Sequence, residues 1–127
     1  MLTQEQFVEA LPAQVRKAVN TEIIDSINNI VEDEVFRDEY RENLISFSTV
    51  MQNGRFKLQS YVDAVRYISH KIRGKTDNDS YKCTFPERYA VWVKNGTPQK
   101  DISSAISSYN KNKLVNLVWE QALIPAH

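Results

Sequence analysis

The chain has 127 residues, 42% of them hydrophobic and 25% charged, with only three glycines and four prolines. That is enough apolar material for one real core, too few turn residues for a many-stranded β fold, and too ordinary a charge content for a disordered chain. Sixteen basic residues balance sixteen acidic ones, but unevenly: residues 1–54 hold ten acids and four bases (−6), and residues 55–127 hold twelve bases and six acids (+6). An acidic helical region, residues 1–54, and a basic one, residues 55–127, are expected within one continuous domain. The basic region suits a polyanion and the acidic region a solvated or partner-binding surface.

Cys83 is the single cysteine. No internal disulfide is then possible, and a reducing compartment, the cytoplasm, is expected. The first residues lack the basic and apolar regions of a secretory signal. No apolar run approaches the roughly 18 residues of a membrane span, so no membrane partner is expected.

In chain order, Thr3-Gln4-Glu5-Gln6 is a capping box ahead of Phe7, Ala10 and Leu11 and predicts a helix over 4–11. Pro12 interrupts it and can open a short helix over 13–19. Behind Asn20 or Thr21 as cap, Ile23, Ile27 and Ile30 share a face with Ile24 and Val31 beside them, predicting a helix over 22–32. Glu32-Asp33-Glu34 suits the positive end of the next helix dipole. Phe36, Tyr40, Leu44, Phe47 and Met51 then recur at helical spacing and predict one long helix over 35–52, closed by Asn53-Gly54. Asp33 and Arg37 are spaced to pair. An aromatic-rich stripe of this kind is more often core than ligand site. Where one chain cannot cover it, Phe36, Tyr40, Leu44 and Phe47 become a subunit interface, and a homo-oligomer is expected on that ground.

Over 57–73, Leu58, Tyr61, Val62, Val65, Ile68 and Ile72 form the apolar face. Arg66, His70 and Arg73 fall on the other, where they either track a phosphate backbone or form a solvated face with Asp63 paired to Arg66. His70 has no ligating neighbour at metal spacing, so a surface imidazole and no metal are expected. Gly74-Lys75-Thr76 matches the end of a phosphate-binding loop. The full motif needs a glycine where Ser69 stands, inside a helix, and no strand precedes it, so no nucleotide cofactor is expected. Gly74 instead ends one helix, and Thr76 caps the next over 77–83, where Cys83 reads as a buried structural cysteine. Pro86 opens a helix over 86–94, with Phe85, Tyr89 and Trp92 toward the core and Arg88, Val91, Lys94 and Asn95 opposite. Two more helices are predicted over 99–109 and 112–123, separated by Asn110-Lys111-Asn112-Lys113.

The expected architecture is therefore all-α, a compact multi-helix domain with a helix-turn-helix-like unit between Phe56 and Asn95. In such a unit the second helix enters the major groove, which makes Arg88 the candidate for a guanine contact and Lys82 and Lys94 candidates for phosphates. The full candidate DNA-binding set is Arg66, Arg73, Lys75, Lys82, Arg88, Lys94, Lys111 and Lys113. With only His70 and His127 available, no histidine–acid–nucleophile group can be assembled, and a non-enzymatic protein is expected.

The run Tyr61-Val62-Asp63-Ala64-Val65-Arg66-Tyr67 and the run Gly74-Lys75-Thr76-Asp77-Asn78-Asp79-Ser80-Tyr81-Lys82-Cys83-Thr84-Phe85-Pro86-Glu87-Arg88-Tyr89 resemble the DNA-binding region of tailed-phage terminase small subunits. Ser108-Tyr109-Asn110-Lys111 and Lys113-Leu114-Val115-Asn116 extend the resemblance, which covers about half the chain. It implies a DNA-packaging factor in the host cytoplasm that binds double-stranded DNA, assembles as a ring and recruits a separate large subunit carrying the ATPase and nuclease. The family places a helical oligomerisation region after the DNA-binding unit; here either residues 21–51 take that role or the chain is a shortened form. The alternative expectation is a phage- or bacteria-encoded adaptor that meets a protein partner through its acidic half.

Overall fold

A computed structural model describes residues 1–124. The described residues form eight α-helices and two 3-10 segments with no strand: α1 (Gln4–Ala10), a 3-10 segment (Ala13–Ala18), α2 (Thr21–Asn28), α3 (Glu34–Ser46), a second 3-10 segment (Ser48–Gln52), α4 (Leu58–Ile72), α5 (Asp77–Thr84), α6 (Pro86–Lys94), α7 (Gln99–Asn110) and α8 (Lys113–Leu123). The all-α expectation holds. No helix among the described residues is long and apolar enough to cross a membrane.

Helix α4 is the hub. It packs against α3, α5 and α8, so nine of its fifteen residues are buried, among them Tyr61, Val65, Tyr67 and Ile68. A helix covered on several sides must satisfy its polar groups internally. The Tyr61 hydroxyl accordingly donates to the Leu44 carbonyl of α3 at 2.7 Å, and the Tyr67 hydroxyl donates to Asn110 Oδ1 of α7 at 2.7 Å. The helix ends at Gly74, whose φ of 93° lies in the left-handed region. This geometry lets Lys75 N–H reach back to the His70 carbonyl at 3.1 Å, closing the helix as a Schellman turn.

The stripe Phe36, Tyr40, Leu44 and Phe47 is buried within the chain itself, under α1 and α4. This corrects the expected subunit interface: one chain suffices to cover the stripe, and the four side chains present no surface to a second copy. The long helix expected over 35–52 also divides in two. Ser48 Oγ donates to both the Ile45 carbonyl at 2.9 Å and the Ala10 carbonyl at 2.7 Å. That side chain draws the backbone off the α ladder, and the chain continues as 3-10 turns that still bury Val50 and Met51.

Helix α2 stops at Asn28, earlier than its isoleucine pattern predicts. Asn28 is occupied in a two-way bond with the backbone of Leu2, at 3.1 and 2.9 Å. Ile30 then turns inward, while Val31 is 91% exposed. Asp33 caps α3 through the Phe36 N–H at 2.9 Å, so its carboxylate serves the helix terminus rather than Arg37.

Helices α5 to α7 are held on α4 by aromatic contacts. Tyr81 stacks on Trp92 of α6 with centroids 5.3 Å apart, and Tyr109 of α7 meets Tyr67 edge-on at 4.9 Å. Helix α6 buries no residue completely and rests on Phe85, Tyr89 and Trp92.

Replacing Tyr61 by Phe leaves a buried Leu44 carbonyl without its donor and is expected to lower the unfolding free energy by about 1–2 kcal/mol. Urea titration checks this, with the midpoint lowered and the denaturant slope unchanged.

Candidate nucleic-acid interface

The eight cations expected to bind DNA do not form one face. Arg66 is spent inside the protein. Its Nε and Nη2 donate to the two oxygens of Glu32 at 2.7 and 2.6 Å, with both side chains largely buried. Glu32 also accepts from His70 Nε2 at 2.9 Å. His70 is only 2% exposed and stacks on Phe36 with ring centroids 4.1 Å apart, so the expected surface imidazole is in fact a core residue. The pairing expected between Asp63 and Arg66 is absent: Asp63 accepts from Gln59 Nε2 at 3.0 Å instead.

Burial pushes the Glu32 carboxyl up, but the bonds from His70 and Arg66 and the Arg66 charge outweigh it and bring it down to about 2. Burial likewise works against the Arg66 charge, and the Glu32 bonds more than offset it, so the guanidinium is held even more firmly protonated. Asp63 goes the other way. Its burial raises it, and the Gln59 bond and the Arg88 and Arg66 charges only partly offset that.

The remaining cations separate toward the two ends of α4. Past its C-terminal end, Arg73 pairs with Glu39 at 3.3 Å. Arg73 and Lys75 line a cavity of about 310 Å³ with Glu32, His70 and Cys83. Cys83 is half-buried there, not the fully enclosed cysteine expected. Lys71, which the sequence did not single out, pairs with Asp77 at 3.1 Å and lies over the Trp119 ring at 4.7 Å.

At the N-terminal end of α4 lies a different group. Arg88 lines one cavity with Asp63, Phe85, Tyr109 and Asn112, the residue that caps α8. Its guanidinium lies over Phe85, 4.3 Å from the ring centroid. Lys111 and Lys113 flank Asn112, and Lys113 Nζ stands 5.8 Å from the centroid of Phe56. Phe56 is itself flanked by Arg55 and Lys57. Arg55, Lys57, Arg88, Lys111 and Lys113 are all exposed, and none forms an ion pair among the described residues. Sequence reasoning missed Arg55 and Lys57 because they stand in a link between helices, where periodicity has nothing to say. Their place on either side of an aromatic was the available signal. Lys82, over the Tyr89 ring at 5.4 Å, and Lys94 are exposed on the α5–α6 pair.

The helix-turn-helix outline survives in part. Only Phe85 separates α5 from α6, shorter than the three- to four-residue turn of that motif. The four-residue link Arg73–Thr76 lies between α4 and α5 instead, and α5 opens with Asp77 and Asp79, which repel phosphate. Among the described residues, no group of three or more histidine, cysteine or carboxylate side chains is placed to hold a metal ion. No family model matches the chain, and neither a curated protein nor a solved structure does.

Glu32→Gln should destabilise the protein by about 2–3 kcal/mol, at or below the low end for breaking a buried ion pair because both partners keep some solvent contact. The folded carboxyl lies near 2, below its usual 4.5. Its contribution is therefore complete above about pH 4.5 and is lost as the pH falls toward 2. Urea midpoints measured across that window should fall in the wild type, with Glu32→Gln lacking this component of the slope.

Proposed function

We propose that this protein is a non-catalytic DNA-binding subunit of a phage genome-packaging complex, gripping double-stranded DNA by its backbone and recruiting a large motor subunit. The observation that carries the DNA part is the belt of five exposed cations, Arg88, Lys111, Lys113, Lys57 and Arg55, gathered where α4 and α8 begin. Such a cluster meets phosphates without reading bases, because ammonium and guanidinium groups in solvent supply charge and hydrogen-bond donors but no fixed register. The packaging part rests on the resemblance in Tyr61–Tyr67 and Gly74–Tyr89 to terminase small subunits.

A second reading, a protein-binding adaptor acting through the acidic half, has its own support. Val31 is 91% and Val35 60% exposed, set among the exposed acids Asp33, Glu34 and Asp38. An apolar pair ringed by carboxylates suits a basic partner with an apolar anchor.

Duplex DNA retention measured against salt separates the two. Each phosphate neutralised contributes about 0.9 to the negative slope of log affinity on log salt, so Lys111→Ala and Lys113→Ala should each flatten it by roughly one unit. Lys75→Ala is the control. It lies beyond the opposite end of α4, about 20 Å away by the rise of a 15-residue helix, and should leave the slope unchanged. If the wild type fails to retain duplex DNA at low salt, the adaptor reading replaces this one.

A further inference from the structure

The link between the second 3-10 segment and α4 builds a cleft that the duplex reading does not use. The cleft is open, about 550 Å³, and lined by Gln14, Val15, Gln52, Gly54, Arg55 and Phe56. This is within the size range of small-molecule sites. Its floor is aromatic and aliphatic, from Phe56 and Val15. Its polar groups are the Arg55 guanidinium and two exposed carboxamides, Gln14 and Gln52, neither of which hydrogen-bonds to another described residue through its side chain. No carboxylate lines it.

Gly54 is part of the design. A Cβ at this position would come within 2.8 Å of Phe56 Cζ and 3.0 Å of Cε2. A side chain at this position would therefore displace the tip of the Phe56 ring. Arg55 and Lys57 flank the ring in sequence, and Lys113 stands over it.

We propose that this cleft takes an unpaired nucleobase of a single-stranded nucleic acid, with the base against Phe56 and the adjoining phosphates on Arg55, Lys57 and Lys113. A π face serves every base and is worth most to a strand whose bases are unstacked. Carboxamides carry both donor and acceptor and so match the edge of a base. Duplex DNA hides its base faces and cannot use the ring. The cations are shared with the duplex reading, but Phe56, Gln14 and Gln52 are not, so the two readings stand or fall separately.

The test is fluorescence anisotropy of a labelled twelve-nucleotide dT strand with the full chain, beside a hairpin duplex carrying the same label. The strand should bind, with Arg55→Ala and Lys57→Ala each reducing the salt slope by about 0.7. Phe56→Leu should weaken strand binding by about five- to a hundredfold with the salt slope unchanged, the mark of lost stacking rather than lost charge. Duplex retention should not change in Phe56→Leu. Should Phe56→Leu lower the melting temperature, Gln52→Ala decides in its place, since that side chain is exposed: weaker strand binding supports the cleft, and wild-type affinity overturns it. No strand binding at low salt, or wild-type strand affinity in a folded Phe56→Leu, overturns the proposal even where duplex DNA is retained. Strand binding through Phe56 without duplex retention sustains this proposal and rejects the duplex reading.

Discussion

Everything in this fold depends on burying α4 while satisfying the polar groups it carries inward. A helix with one apolar stripe could have rested on a single layer. This one places Tyr61, Arg66, Tyr67, Ser69 and His70 under neighbouring elements as well. Each then needs a partner from elsewhere in the chain. Leu44 answers Tyr61, Asn110 answers Tyr67, Asn43 answers Ser69 at 3.0 Å, and Glu32 answers Arg66 and the Nε2 of His70, whose Nδ1 is buried without a partner among the described residues. These partners come from α3, α7 and the loop after α2, so the hydrogen bonds of one helix specify where three other segments lie.

The same demand explains the uneven charge. Two of the four ion pairs made by lysine or arginine among the described residues join the acidic region to the basic one, Glu32 to Arg66 and Glu39 to Arg73. The imbalance of −6 against +6 is thus partly adhesive between the two regions and not wholly a signal to outside partners. A cation count along the sequence mixes both uses. Only the structure separates a guanidinium held between two carboxylate oxygens from an ammonium left in water.

Much of the fold was legible. Periodicity and caps located all eight α-helices, with Thr3, Asn20 and Thr76 capping as their side chains allow and Gly74 ending α4 with positive φ. Local rules failed where a side chain was engaged at long range. Ser48 bonds Ala10 and breaks the helix that ran on in the pattern, and Asn28 bonds Leu2 and ends α2 early. The candidate site was less legible for a related reason. Arg66, His70 and Arg73 share a helical face, but whether that face meets solvent or Glu32 is decided by a loop 34 to 38 residues away. The belt at the start of α8 was half visible, through Lys111 and Lys113. Arg55 and Lys57 joined it only once α8 was seen to begin beside Phe56.

That neighbourhood follows from the topology. Lys113 at the start of α8 lies near Phe56, just before α4, and Trp119 later in α8 lies under Lys71 near the end of α4, so the two helices run parallel. Parallel packing sets their positive dipole ends side by side. Lys57 and Lys113 at those ends oppose the dipoles rather than complement them, whereas Lys111 closes α7 and complements its C-terminal end, and Arg88 rests on the Phe85 ring. Asn112 supplies the α8 cap without charge, accepting from the Leu114 and Val115 N–H groups at 2.9 and 3.3 Å. Lys57 and Lys113, exposed and without ion-pair partners among the described residues, therefore stand where the backbone already favours negative charge. An anion placed at that end of the two helices would meet both the side chains and the dipoles at once.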